Sequence, residues 1–144
     1  APLVQGQTSG STGTPVRFLS TEVTRLLWQA FNLRDHLWHR RDFGLKLAAI
    51  RPDRGTRDEL GFEVANWGGL LGALFDSGPS SVLHSANTID RQIEWLVGQD
   101  PAYLLTLATS LLELAREMQS RGVRLARLRE ARTYGETLRP EARA

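Results

Sequence analysis

The sequence predicts an α/β fold built from parallel strands joined by helical crossovers. Short apolar runs of strand length alternate with stretches whose apolar residues recur at helical spacing. From about residue 81, three strand–helix steps follow in succession, as expected when a helix returns the chain for each new parallel strand. Length agrees: 144 residues, 41% hydrophobic and 24% charged, supply one core rather than two domains.

Each element has a local reason. Residues 5–15, rich in glycine and hydroxyl side chains, predict a turn-rich loop, and Val16 to Leu19 a short strand. Ser20 or Thr21 then caps a helix, because a hydroxyl satisfies a backbone N–H that the first turn leaves orphaned. Val23, Leu26, Leu27, Ala30, Leu33 and Leu37 form one apolar face through about Arg41, and Phe43-Gly44 ends that helix. Leu45 to Ile50 is a strand-length run stopped by Arg51-Pro52. Residues 51–60 are charged and turn-forming.

Trp67-Gly68-Gly69 leads into a helix over Leu70 to Phe75, ended by Gly78-Pro79. Ser81 to His84 reads as a buried strand. Thr88 caps the next helix, with Ile89, Ile93, Leu96 and Val97 inward and Asp100-Pro101 at its end. Ala102 to Leu107 is a strand and Ser110 to Arg121 a helix, with Leu111, Leu114, Ala115 and Met118 inward and Gly122 as C-cap. Glu130 to Tyr134 is the last strand, and Pro140 suits the first turn of a further helix. Trp28, Trp38, Trp67 and Trp95 are expected as core anchors, with the flanking glycines marking Trp67 as a pocket wall.

Composition removes several classes of function. With no cysteine there is no disulfide, thiolate nucleophile or cysteine metal site. No run of about 18 apolar residues occurs, so no membrane helix is expected. Ala1 to Pro15 lacks the pattern of a secretory signal. Eighteen basic residues against sixteen acidic ones give +2, while the pI is near 9.7. The figures agree because Lys46 is the single lysine and every other base is arginine, which keeps its charge throughout. The run Arg116, Arg121, Arg124, Arg127, Arg129 and Arg132, broken by Glu117 and Glu130, therefore reads as a solvated surface and not as a nucleic-acid face. His36 and His39 share a helical face, but no third zinc ligand accompanies them, and no metal site is expected. No serine combines with histidine and an acid into a triad.

Thr8-Ser9-Gly10-Ser11-Thr12-Gly13-Thr14-Pro15 is the most informative stretch. Glycines let the backbone curl until several N–H groups point one way, and hydroxyls add donors, a cradle suited to phosphate oxygens. It is not a Walker loop, since no Gly-Lys-Ser/Thr follows. Composition alone also fits a flexible linker. Tyr134-Gly135-Glu136-Thr137 follows a strand end, where open α/β sheets bind ligands, although by itself it also reads as a turn.

Taken together, these pieces resemble the adenylate-forming (AMP-binding) superfamily of acyl-CoA synthetases, luciferases and peptide-synthetase adenylation domains. The first stretch is similar to that superfamily's Thr-Ser-Gly-Ser/Thr-Thr-Gly-x-Pro phosphate loop. Within it, the chain looks most like the phenylacetate-CoA ligase and coenzyme F390 synthetase branch, in Trp67-Gly68-Gly69-Leu70, Ile89-Asp90-Arg91-Gln92-Ile93, Pro101 to Leu105 with Ser110 to Ala115, and Arg132 to Leu138. Order and spacing match over nearly the whole chain.

The resemblance implies an AMP-forming ligase that joins a small carboxylic acid to Mg-bound ATP as an acyl-adenylate, with coenzyme A as the usual acceptor. It implies that Thr8, Ser9, Gly10, Ser11, Thr12 and Gly13 cradle the triphosphate, with Ser11 and Thr12 in direct contact. Gly135, Glu136 and Thr137 would line the adenine side, and Trp67, Gly68 and Gly69 the carboxylate pocket. Backbone N–H groups stabilise phosphate charge without a protonation step. A cytoplasmic enzyme without nucleic-acid or membrane partners is the corresponding expectation. Val16 stands where many relatives carry lysine. The superfamily's later motifs for adenine stacking, magnesium and ribose, its hinge and its C-terminal domain with the catalytic lysine are not in this sequence. Residues 1–144 are thus expected to be part of a large N-terminal domain, with the phosphate loop in 1–15 and αβ units in 16–144, inactive alone. The competing expectation is a stand-alone helical interaction domain, drawn from the helical stretches 21–41 and 110–121.

Overall fold

The computed structural model describes residues 3–7, 14, 16–52 and 61–137. In chain order the elements are strands β1 (Val4–Gln7) and β2 (Arg17–Ser20), helix α1 (Glu22–Trp38), strands β3 (Leu47–Arg51) and β4 (Phe62–Val64), and helix α2 (Gly69–Leu74). They continue with β5 (Ser80–His84), α3 (Ile89–Gln99), β6 (Tyr103–Leu107), α4 (Ala108–Ser120) and β7 (Glu130–Tyr134). The architecture is α/β. A five-stranded mixed sheet has the order β4-β5-β3-β6-β7. Strands β3, β5, β6 and β7 run parallel, and β4 lies antiparallel at one edge. Strands β1 and β2 form a separate antiparallel pair.

Local chemistry explains the boundaries. Thr21, and not Ser20, caps α1: its hydroxyl accepts the Thr24 N–H at 3.1 Å. The Ser20 hydroxyl instead donates to the Val4 carbonyl across the β1–β2 pair. Helix α1 stops at Trp38 rather than near Arg41 because Arg40 turns left-handed, with φ 51°, and the Arg41 N–H closes back on the His36 carbonyl. The Thr88 hydroxyl accepts the Arg91 N–H at the start of α3, and Asp100 ends that helix at φ 40°. Two strands are missing from the sequence reading. Gln5 to Gln7, expected as loop, belong to β1 because they pair along β2. The three-residue β4 is too short for a pattern and exists through its pairing with Ser80, Ser81 and Val82.

Alternation along the strands sorts side chains to two faces. Ala48, Ile50, Leu83 and Leu104 meet Ile93, Trp95 and Leu96 of α3 and Leu114 of α4 in the buried core. Full burial of each large aliphatic side chain contributes about 1.5–3 kcal/mol. On these helices Val97 and Ala115, expected inward, are exposed. The opposite face carries α1 and α2. Here the expectation of four core tryptophans is corrected: Trp95 is buried and Trp67 half-buried, but Trp28 and Trp38 are 69% and 75% exposed. Val23, Leu26, Leu27 and Leu37 are likewise exposed, because periodicity marks a face as apolar without supplying its cover.

Gly78 sits where two loops cross. Its N–H donates to the Phe43 carbonyl at 2.8 Å, and a Cβ there would stand 2.5 Å from the Gly44 carbonyl oxygen. Backbone cannot yield as a side-chain tip does, so Gly78→Ala is expected to destabilise by about 2 kcal/mol. Urea unfolding measures this, and an unchanged midpoint would contradict the close crossing.

Candidate functional site

The strand order contains a topological switch. The chain leaves β3 for β5 on one side and leaves β6 for β7 on the other, while β3 and β6 are neighbours. Ligands of open α/β sheets bind outside the carboxyl ends of strands at such a point. The ladder opens there. Pairing between β3 and β6 stops at Ala49 and Leu105, two residues before either strand ends, although β3 continues along β5 to Arg51 and β6 along β7 to Leu107. Thr106 lies in this opened stretch, wholly buried, with its hydroxyl unpartnered among the described residues.

A cavity of about 460 Å³ lies between this sheet and helices α1 and α2. Strand register arranges its floor in rows. Leu47 stands level with Ser80 and Tyr103 at the amino end, and Ala49 with Val82 and Leu105 in the middle. Arg132 on β7 is level with Leu105. Arg51 beside β5 and Tyr134 on β7 form the row at the carboxyl ends. The small Ala49 between two larger side chains keeps the middle of the floor low. Trp28, Leu33 and Leu70 contribute walls.

The inner end is aromatic and polar. The Trp67 ring lies 5.2 Å from His36, 5.7 Å from Phe43 and 5.3 Å from Tyr103, all edge-on. Its indole N–H donates to the Leu45 carbonyl at 2.9 Å, which fixes the ring as a wall. Gly68 and Gly69, at φ 74° and 56°, let the chain turn from this wall into α2. The Asn66 side-chain oxygen accepts the Gly68 N–H at 2.8 Å.

Behind this wall, an ion network joins α1 to β7. Arg41 grips Glu130 with two hydrogen bonds of 2.9 and 2.6 Å and reaches Asp35 at 2.8 Å. Arg132 donates to the same Asp35 oxygen at 2.6 Å. His36, buried between the two guanidinium groups, has Nδ1 3.4 Å from Arg41 and Nε2 3.5 Å from Arg132. Burial, then the positive charges of Arg132 and Arg41, push the His36 imidazole down to about 4, so it is neutral at pH 7. Burial pushes the Asp35 carboxyl up, but the Arg41 hydrogen bond and the charges of Arg132 and Arg41 reverse this and hold it below its usual range. The Arg41 hydrogen bond likewise holds Glu130 low against its burial.

The sequence-derived site residues fall in three places. Trp67, Gly68 and Gly69 line the cavity. Gly135, Glu136 and Thr137 follow β7 at the carboxyl edge, beside the start of α4. The Glu136 carboxylate accepts the Thr109 N–H and hydroxyl, both at 2.8 Å, and so caps a helix whose own N-cap, Leu107, has no acceptor. Those hydrogen bonds hold Glu136 below its usual range. Thr8 to Gly13 lie outside the described residues; β1 and β2 flank them.

Sequence reasoning passed over Arg51, Asp35, Arg41 and Glu130, and placed Arg132 on a solvated surface. That holds for exposed Arg116, Arg121, Arg124, Arg127 and Arg129, but Arg132 turns into the cavity. A signal existed: Glu130, Arg132 and Tyr134 alternate on one strand face, which puts charge where an inward residue belongs. Among the described residues no group of three histidine, aspartate or glutamate side chains is placed to hold a metal, and no helix is long and apolar enough to cross a membrane. No protein-family model, curated protein or solved structure matches the chain.

Proposed function

We propose that this chain forms part of the nucleotide and acid site of an AMP-forming carboxylate ligase, resembling the phenylacetate-CoA ligase branch of the adenylate-forming superfamily. The single observation that carries the reading is the residue 8–15 phosphate-loop pattern. The switch point between β3 and β6 supports it, with a cavity of ligand size beside it. In this reading residues 8–13 hold the triphosphate of Mg-bound ATP, Gly135 to Thr137 border the adenine, and the acid lies in the cavity with its carboxylate at the mouth. The carboxylate oxygen then attacks the α-phosphorus, pyrophosphate leaves, and coenzyme A is the acceptor that follows. The helical interaction domain is the poorer reading, because a five-stranded sheet organises the core.

The test is equilibrium binding of Mg-ATP and of a non-hydrolysable acyl-adenylate analogue to the chain. Both are expected to bind, with Ser11→Ala and Thr12→Ala each weakening binding by about tenfold, the value of one hydrogen bond to a charged phosphate. No binding at millimolar nucleotide, or binding indifferent to both substitutions, would sink the reading. Pyrophosphate release is not expected from this chain alone, since the family's magnesium, ribose and lysine motifs are not in its sequence.

A further inference from the structure

Helix α1 presents its two faces in the reverse of the usual sense. Its inner face, which walls the cavity, carries Gln29, Asn32, Leu33 and the buried His36. Its apolar residues point elsewhere: Val23, Leu26, Leu27, Phe31, Leu37 and Trp38 are each at least half exposed. At about 3.6 residues per turn, the centre of this stripe lies about 140° around the helix from the inner face. An amphipathic helix ordinarily buries its apolar stripe, so this one calls for a second surface. Along the roughly 25 Å of the helix, these side chains expose about 700 Å². The largest patch of a typical monomer is about 300–600 Å², and each side of a stable interface contributes about 800 Å².

Charge selects the occupant. Helix α1 carries Glu22 and Asp35 against Arg25 and Arg34, so it has no net pull on an anionic lipid surface. A lipid-bound helix also keeps its polar face in water, whereas the polar face of α1 is turned inward to the cavity. The stripe is instead complementary to itself. Its midpoint falls at Ala30 and Phe31, and the small, exposed Ala30 lets two helix axes approach closely. Arg34 lies along the stripe with its guanidinium 5.2 Å from the Phe31 ring and 5.9 Å from that of Trp38. Both rings stabilise that cation where water is withdrawn. Glu22 and Arg40 stand at opposite ends, both exposed. About five whole turns separate them, which puts them on the same side of the stripe.

We propose that the outer face of α1 is a homodimer interface, packed antiparallel on α1 of a second copy about a two-fold axis through Ala30 and Phe31. Such an axis reverses the direction of the helix and keeps each side of the stripe on its own side. Leu26 then meets the partner's Leu37, and the two Phe31 rings meet across the axis. Glu22 falls beside the partner's Arg40, once at each end of the dimer. The opposed helix dipoles place each negative end beside a positive one. The interface and the cavity use opposite faces of α1, so the dimer braces the cavity wall and does not depend on the ligase reading.

Sedimentation equilibrium of the chain over about 1–100 μM at low salt is the test. A monomer–dimer equilibrium with its midpoint at about 10 μM is expected for an interface at the low end of the stable size range. Phe31→Glu leaves the core untouched and sets two carboxylates together in apolar contact, so it is expected to weaken the dimer about 100-fold or more. Glu22→Arg and Arg40→Glu are each expected to weaken it about tenfold, and the double exchange to restore it to within about threefold. That rescue is specific to the antiparallel register, and it decides the matter even if Phe31→Glu fails to fold. A chain still monomeric at about 100 μM overturns the proposal. So does a dimer indifferent to Phe31→Glu, a double exchange no better than the single ones, or an open series of larger oligomers. A monomer that co-sediments with phosphatidylcholine–phosphatidylglycerol vesicles, and loses them with Phe31→Glu, would overturn it in favour of a lipid surface.

Discussion

Arg41→Met is expected to lower the stability of the chain by about 3 kcal/mol. The Arg41 side chain is 3% exposed and satisfies two carboxylates at once. Removing it strips Glu130 of its ion-pair partner among the described residues and leaves Asp35 to Arg132 and His39, and breaking a buried pair typically costs about 3–5 kcal/mol. Both carboxylates keep roughly a third of their surface in water and rehydrate in part, which places the value at the low end. The network also ties α1 to β7, 89 residues apart, so its loss loosens the cavity wall. Urea unfolding measures the change. Arg41→Met in a Glu130→Met background is expected to cost clearly less, because no stranded charge remains on β7. Additive losses would show that the two side chains act independently.

The second large effect is a loss of stability between pH 6.5 and 4, set by His36. Burial beside two guanidinium groups holds its folded pKa at about 4, below the ordinary 6.5 of an unfolded chain. Between those values the unfolded chain binds the proton and the folded chain does not. Stability is therefore complete above about 6.5, declines as pH falls, and levels off below 4, by about 3 kcal/mol in all. Asp35 and Glu130 act in a lower window. Their folded pKa values are depressed, so their contribution is present above the ordinary carboxylate range and is lost as pH falls through the depressed values. His36→Phe keeps a ring against Trp67 and Phe43 and removes the titration. Its urea midpoint is expected to stay flat from pH 7 to 4.5 while that of the parent falls; parallel slopes would assign the effect elsewhere.

Both effects arise from a cluster that residue spacing did not announce. Asp35, His36 and Arg41 are near one another in the chain, but what makes them consequential is Arg132 and Glu130, which arrive from the far strand of the sheet. By contrast, the hydroxyl caps at Thr21 and Thr88, the end of α3 at Asp100 and the bounds of β7 were legible, because each depends on bonds within a turn or on period-two alternation. The predicted strands β2, β3, β5 and β6 fall within three residues of the observed ones. Strand β4 was not legible: three residues carry no period, and pairing alone defines it. Trp28 and Trp38 misled for a related reason. A large apolar side chain states a preference for burial, and whether a neighbour supplies it is a tertiary matter.

The sequence by itself determined the α/β class, most of the alternation of strands and helices, and the hydroxyl cap at Thr88. It also carried the pattern at residues 8–15 and at Tyr134 to Thr137 on which the ligase reading stands. These are short-range properties, written in hydrogen bonds and side-chain periods a few residues long. Only the tertiary structure decided the strand order β4-β5-β3-β6-β7, and with it the opening between β3 and β6. It alone set Arg132 into a network with Asp35 and placed Arg51 in the row at the carboxyl ends of the cavity floor. Charge balance and cavity shape depend on which strands become neighbours, and that is settled by packing both faces of the sheet at once, not by any one segment.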